Sequence, residues 1–505
     1  MKIISIIGLI LFFLSCQNSE QSLIRMPNYN EIEFRNFLSA NLKTLETDST
    51  AISFHKKLDP IHCQNDLITL KHVLEEAQTS VFRFCSKADF DELFNKAFVE
   101  LQDSIYYQDF IKIIAKIDHQ IACGHSGWGH AQAYYKYRNS FVKLFPFDVE
   151  MKDGKMFVLR DNSEENEIFV GSEIIEINKT PILEVIQGIN AYLVKDGTSN
   201  IGFSEGEQSF FSNAYSNFVE QTDHFKISVL QNGHGKPLTF QTNALLKPEL
   251  DSIRKTRYDV KPKFTKPLLY DYLDSISTGV YTINWFNKDY INHYNQNFER
   301  FTDSVFADLN TKDATNLIID LRGNVGGWTA YGKYLFSYFI DQKLDYIKKV
   351  EIKKYEGFSF DSIITSYPQY LDTFKLQKNN DHLFEWINYP SLQVEPKDKN
   401  QFKGQVYILT DGLVRSCTGV FSTMMKQHTN ANFYGTETGS SQCGAGGMVM
   451  AIELPYTGIS YYFSTAKYTT AIKDSLNSNG VMPDKLISPQ KAKDHVIDQI
   501  SKQKL

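Results

Sequence analysis

From Asn65 onward, apolar residues recur at three- and four-residue steps. They run Leu67, Leu70, Val73, Leu74, Ala77 and Val81, then Leu93, Phe94, Ala97, Phe98 and Leu101, then Ile113, Ile114 and Ile117. This is the period of amphipathic helices. It predicts a helical region whose last helix runs out at "CGHSGWGH", preceded from about Met26 to Asp59 by a polar tether that passes into a first helix. After Phe145-Pro146 the pattern shifts to short extended runs separated by turns. "GKMFVLRD" reads as a strand, "DNSEENE" as a loop, and "FVGSEIIEINKTPILEVIQGINAYL" as a strand, a turn at Lys179-Thr180-Pro181 and a helix. Two further strands are expected around Lys226 to Leu230 and Leu238 to Thr242, completing a small β-rich module over 144–245.

A charged, Lys-rich connector from Lys247 to Lys266 leads into a last region. There "GVYTINWF", "NLIIDLRGN", "GQVYILTDG" and "ANFYGTE" each have a continuous apolar centre, as strands covered on both faces do. "WTAYGKYLFSYFIDQ" and "CTGVFSTMMKQH" between them read as helices. Alternating strands and helices predict an α/β sandwich, within an α+β multidomain chain. The stretch from Tyr355 to Asn400 interrupts it without a clear period.

Composition changes this picture little. With 42% hydrophobic and 22% charged residues in 505, the chain is ordinarily globular and long enough for two or three domains. A net charge of -6 and the lack of a clustered Lys/Arg stripe exclude a basic field for nucleic acid. The beginning differs: "MKIISIIGLILFFLSC" has one Lys, an apolar run and then Ser15, Cys16 and a polar stretch. That is the layout of a signal peptide and is short for a membrane span, so 1–16 is expected to direct export and be removed. Cys16 at the end of the run resembles a bacterial lipoprotein cleavage box, although Phe13 and Leu14 depart from the usual pattern. That resemblance implies a lipidated Cys16 and a cell-envelope location, periplasmic or at the outer membrane, held by acyl chains. Without lipidation, export alone remains. The other cysteines, Cys63, Cys85, Cys123, Cys417 and Cys443, have neither zinc-site nor disulfide-framework spacings and are expected to be mostly small buried residues. No metal or organic cofactor is implied.

Candidate chemistry concentrates in two stretches. In "NLIIDLRGNVGGW" a buried strand ends in glycines that permit positive φ and close backbone approach, before a helix start that offers free N–H groups to an anion. Neither the dinucleotide fingerprint nor the Lys-containing phosphate loop is present, so an oxyanion site fits better than a nucleotide loop. In "VRSCTGVF" three nucleophile-type residues, Ser416, Cys417 and Thr418, adjoin at the start of an amphipathic helix.

With "DLRGNVGG", "VRSCTGVF", "GTETG" and "NGVMPD" in this order, the chain resembles the tail-specific protease family, that is, the C-terminal processing peptidases and their tricorn-like relatives. The resemblance covers about 266–490 and implies a ClpP/crotonase-like α/β catalytic core. Upstream, "GSEIIEINKTPILEVI" resembles a PDZ pattern, though the carboxylate-binding loop of such domains is not obvious, and 17–130 becomes the helical N-terminal region. The family's nucleophile aligns with Ser416. The N–H of Cys417 and one from the Gly326 region are then the expected oxyanion donors, with Cys417 a small filler and Thr418 a support of the turn.

Several positions depart from the family. Gly419 stands where Glu is common, and Ser441 where the C-terminal processing branch carries its Lys, which argues against a Ser-Lys dyad. The tricorn-like branch uses a His before the PDZ, and "ACGHSGW" matches it at His125; His119 and His130 lack the motif match. His is suited to take a hydroxyl proton near neutral pH, while a capping or core histidine is the plainer alternative for His125. Where that branch has a Glu, this chain has Asn477, which can orient a neighbour but not balance an imidazolium charge. Glu437 could substitute, but "GTETG" reads more readily as a turn between strands.

Two functions follow. The first is an exported, lipid-anchored serine endopeptidase acting on unfolded or C-terminally exposed polypeptides through an acyl-enzyme on Ser416, with His125 as base and the PDZ-like module capturing an extended peptide by strand addition. The second is a non-catalytic lipoprotein that binds a peptide or apolar ligand, as the retinoid-binding member of the family does.

Overall fold

A computed structural model of the chain describes residues 25–47, 53–199, 206–208, 210–231, 235–258, 266–368, 375–473 and 477–504. Cys16 and the leader fall outside this range. Among the described residues no helix is long and apolar enough to cross a membrane.

The periodicity from Asn65 folds into the helices Pro60–Ala77, Lys87–Glu100 and Tyr107–Ile121, and the stretch expected to be a polar tether contains a helix of its own, Glu31–Thr47. Their starts follow local chemistry. Asp59 accepts the Ile61 N–H ahead of a first-turn proline, and Ser86 accepts the Asp89 N–H. The helix Tyr107–Ile121 stops because Ala122 turns left-handed (φ 54°). The chain then runs through Cys123, Gly124 and His125 into the strand Gly127–Gly129. This strand pairs antiparallel with Ser460–Thr470, Gly127 opposite Tyr462. The helical region is therefore stitched to the last region of the chain. They share one core, in which Leu67, Leu74, Phe94 and Ile114 pack with Met450, Ile452, Tyr461 and Phe463.

The β-rich module expected over 144–245 contains the antiparallel strands Phe147–Lys152, Lys155–Asp161, Glu173–Ile177, His224–Leu230 and Leu238–Asn243, with the helices Ile182–Asn190 and Phe211–Phe218. Phe145, Val149, Ile174, Ile186, Phe211 and Ile227 close a separate core beneath them. The Lys-rich connector is a helix over Lys247–Tyr258, anchored by Leu250 against Val142, Leu144 and Leu245 and by an Arg254–Asp148 ion pair. Its single buried apolar residue explains why no helical stripe is legible there.

The last region has two sheets. The 6-stranded sheet orders Leu268–Leu273, Thr278–Ile283, Asn316–Asp320, Gln405–Thr410, Asn432–Gly435 and Lys485–Leu486, parallel except for the first pair. Helices Phe298–Thr311, Thr329–Phe336 and Cys417–His428 cover one face. Pro489–Lys504 covers the other through Ala492, Val496 and Ile500, so this unit extends past the expected boundary at 490. The second sheet is antiparallel and contains Ile347–Ile352, Gly446–Glu453 and Ser460–Thr470. The aperiodic stretch 355–400 supplies its short outer strands Ile364–Ser366, Leu376–Lys378 and Phe384–Trp386. Strands of three residues are too short to reveal a period.

Candidate active site

Ser416 sits at the N-cap of the helix Cys417–His428 with φ 56° and ψ -131°. A non-glycine residue in this region carries on the order of 1–3 kcal/mol of strain and persists only when its surroundings impose it. They do so here. The Ser416 N–H donates to Ser440 Oγ at 2.7 Å, the Arg415 N–H to the Asn324 carbonyl at 3.2 Å, and the Gly439 N–H to the Val414 carbonyl at 3.0 Å. A Cβ on Gly326 would lie 2.6 Å from Ser416 Cβ, and one on Gly419 would lie 2.7 Å from Ser440 Cβ. Glycine at 419, where the family commonly has Glu, is thus what lets Ser440 reach the Ser416 amide.

Asn324 organises this corner and was not singled out by sequence reasoning. Fully buried, it donates from Nδ2 to the Ile283 carbonyl (2.9 Å), and its Oδ1 accepts from the Gly326 N–H (3.0 Å) and Thr418 Oγ1 (2.9 Å). The Asn within a glycine-rich loop was the available signal. One expectation changes as a result: the Gly326 amide hydrogen is taken by Asn324 and is not directed at the cavity. The next residue, Gly327 (φ 138°), lines the cavity beside Ser416 and Cys417. The Asp-Leu-Arg part of the box is structural, because Arg322 pairs with Asp320 at 2.5 Å and donates to the Pro489 carbonyl at the start of the C-terminal helix.

His125 Nε2 lies 3.0 Å from Ser416 Oγ, although the two residues are far apart in sequence. The loop carrying the histidine is held by the turn after helix Pro60–Ala77. Gln78 Nε2 donates to Ser126 Oγ at 2.8 Å, and Ser80 Oγ meets Cys123 Sγ at 3.2 Å. Arg83 reaches the Tyr468 and Ala445 carbonyls at 2.7 and 3.3 Å, fastening the same turn to the second sheet. Burial, reinforced by the Arg83 and Arg415 charges, lowers the His125 pKa to about 4. The ring is neutral at pH 7.

Its second nitrogen has an unexpected partner. The Gly446 N–H donates to Nδ1 at 3.2 Å. A nitrogen that accepts is unprotonated, so the single proton of the neutral ring is on Nε2 and faces Ser416 Oγ. No carboxylate stands among the ring's hydrogen-bond partners in the described residues.

The remaining candidates separate from this pair. Asn477 Oδ1 accepts the Asn479 N–H and the Asn477 carbonyl accepts the Cys443 N–H, so the residue shapes its own loop and does not orient His125. Glu437 accepts the Gly480 N–H at 2.8 Å, a turn-bracing role. Ser441 Oγ donates to the Gly444 carbonyl at 3.2 Å. His119 is bonded to the Leu193 carbonyl, and His130 is buried against the rings of Trp128 and Tyr134. Burial raises the Cys417 thiol pKa, and the His125 ring meets Ser416 Oγ and not this thiol, so the geometry favours Ser416 as the nucleophile. All five described cysteines are unpaired and buried.

Ser416 and His125 open onto a cavity of about 280 Å³, whose walls include Ile347, Val420, Met448, Val449 and Tyr468. Among the described residues no Lys, Arg, Asp or Glu lines it.

The model of peptidase family S41 matches residues 278–487, the span that contains Asn324, Ser416 and the strand bearing Gly446. These residues form a peptidase family S41 domain. The chain accordingly carries a serine-type peptidase domain. Among solved structures, mature CPAF in complex with lactacystin is similar at 14% identity and a TM-score of 0.60, over 88% of this chain and 98% of that one. The crystal structure of mature CPAF is similar at 15% identity and a TM-score of 0.56, over 88% and 97%. At these identities the chain shares their fold. No curated protein matches it by sequence.

Proposed function

We propose that this S41 protein is an exported endopeptidase that cleaves unfolded or C-terminally exposed polypeptides through an acyl-enzyme on Ser416. The observation that carries the reading is the 3.0 Å approach of His125 Nε2 to Ser416 Oγ on a strained helix N-cap. In acylation Ser416 Oγ attacks the scissile carbonyl carbon while His125 Nε2 takes the hydroxyl proton. The ring then gives that proton to the leaving amine, and water repeats the sequence on the ester. The Cys417 N–H at the helix start is the proposed donor to the oxyanion, joined by the Gly327 N–H if substrate draws it from the Cys417 sulfur it faces in the free site. The uncharged cavity favours an apolar side chain before the scissile bond.

Taking a proton at Nε2 requires the other neutral tautomer, with hydrogen on Nδ1, and that hydrogen would oppose the Gly446 N–H. The reading therefore includes a shift of the Gly446 peptide away from Nδ1 when substrate binds. With no carboxylate on the ring and two arginines near it, the imidazolium formed in acylation is poorly stabilised, so turnover is slow for a serine peptidase.

The apolar leader ending at Cys16 supports export and a lipid anchor. Among the described residues the sheet of the module over 147–243 ends in the edge strands Leu238–Asn243 and Gly206–Glu207, to which an extended peptide can add as a strand. Mass spectrometry of an unfolded protein incubated with the parent and with Ser416→Ala tests the reading. Fragments from the parent alone support it. A folded parent that cleaves none of several substrates would instead favour a ligand-binding lipoprotein on the same fold.

A further inference from the structure

The β-rich module sends one loop, after its helix Ile182–Asn190, into the catalytic region. Gly197 N–H donates to the Ala122 carbonyl at 2.9 Å and Thr198 N–H to the Ser478 carbonyl at 3.0 Å. Thr198 Oγ1 reaches Asn479 Oδ1 at 2.6 Å, and Ser199 Oγ reaches the Gly439 carbonyl at 3.2 Å. At the tip Asp196 is 3% exposed. Its Oδ1 accepts the Gly124 N–H and its Oδ2 the Ser441 N–H, each at 3.4 Å. The approach is close, since a Cβ on Gly124 would fall 2.9 Å from Asp196 Cβ. Gly124 precedes His125. Ser441 follows Ser440, whose hydroxyl holds the Ser416 amide.

We propose that Asp196 is a positioning residue: its carboxylate ties the segment carrying His125 to the loop that fixes Ser416, so the β-rich module sets the distance between the two reacting side chains. The proposal rests on the reading of Ser416 and His125 as the catalytic pair. A carboxylate can accept from two N–H groups at once, whereas a carboxylic acid or an amide presents a donor to one of them. The charged groups facing Asp196 are Arg83, from the turn after the helix Pro60–Ala77, and Arg415, ahead of Ser416. Beyond Arg415 stand Asp411 and Tyr462, and His125 faces the same two arginines. Burial nevertheless raises the Asp196 pKa to about 6. Raising the folded value means that the anion, and with it the double contact, is lost as pH falls through about 6. The His125 ring stays neutral until about pH 4. The two groups therefore leave separate marks on a pH profile.

The experiment compares the full chain, purified in mild detergent, with Asp196→Asn. It measures kcat and KM on a peptide substrate from pH 4 to 8, and hydrogen exchange over peptides containing Gly124 and Ser441. The parent is expected to lose kcat with a midpoint near pH 6. At pH 7.5 the variant should show kcat lower by about tenfold or more with KM little changed, and no limb near pH 6. It should also exchange faster in both peptides. An unchanged kcat, a limb near pH 6 that persists in the variant, or unchanged exchange overturns the proposal. If the variant does not fold, the parent decides alone: an acid limb only near pH 4, where His125 charges, overturns it. If the folded parent shows no Ser416-dependent cleavage, the catalytic reading fails separately, and the exchange comparison still decides whether Asp196 holds the two segments.

Discussion

Ser440 Oγ accepts the backbone N–H of Ser416 at 2.7 Å, and the space for that contact exists because residue 419 has no side chain. The nucleophile's backbone is thus held by a residue from a different loop. Ser440→Ala removes the acceptor and leaves an amide in a strained conformation without its partner. Stability should fall by roughly 1–3 kcal/mol, and kcat should fall more than KM rises. Denaturant titration and steady-state kinetics on the same preparation check both.

Gly419→Ala places a methyl group 2.7 Å from Ser440 Cβ, too close for either atom to stay. A loss of about 1–3 kcal/mol is expected, the range for overpacking a tight site. The double variant Gly419→Ala with Ser440→Gly should recover part of that stability without recovering kcat, because it relieves the clash but not the lost acceptor. If the double variant is as unstable as the sum of the single ones, the two positions are not coupled.

The resting histidine should carry its proton on Nε2. Nitrogen NMR of labelled protein at pH 7 is expected to report a neutral His125 ring with a non-protonated Nδ1. A peptide boronate bound at Ser416 should change that signature as the ring becomes protonated at both nitrogens. A free enzyme already protonated on Nδ1 would remove the need for the Gly446 peptide to move.

Asp118 is buried and accepts a hydrogen bond from Tyr461, and burial raises its pKa to about 7. Its folded value lies above its unfolded one, so the stability that protonation contributes is fully present below about pH 4 and is lost as pH rises through about 7. Asp118→Asn keeps an acceptor for the tyrosine and cannot ionise. It should stabilise the protein by roughly 1–3 kcal/mol more at pH 8 than at pH 5. Equal effects at the two pH values would mean that Asp118 is ionised throughout.

Iodoacetamide should leave Ser416-dependent hydrolysis intact, since the Cys417 thiol is buried and held protonated. Rapid inactivation together with alkylation of Cys417 would return the nucleophile to that residue.

How much of this was legible depended on whether the signal was local. The helices from Pro60 to Ile121 were written as a period and "NLIIDLRGNVGGW" as a glycine-rich box, whereas the helix Glu31–Thr47 lay within a stretch that read as a polar tether. The helix Lys247–Tyr258 was hidden because only Leu250 of its residues is buried, and the strands within 355–400 because they are too short to show alternation. Asn477 was placed by motif alignment. The structure gives its side chain to Asn479, since the nearest backbone donor in its own loop satisfies it first.

By itself the sequence determined most element types and the nucleophile-bearing helix start, because these depend on period and on neighbours a few residues apart, while His125 became a candidate through the family resemblance of "ACGHSGW". The tertiary structure alone decided which atoms meet. It decided that Asn324 takes the Gly326 amide, that Gly446 donates to His125, and that Asp196 from another module reaches Gly124 and Ser441. Hydrogen bonds act over about 3 Å and are chosen among groups brought together by packing, a choice that no spacing along the chain encodes.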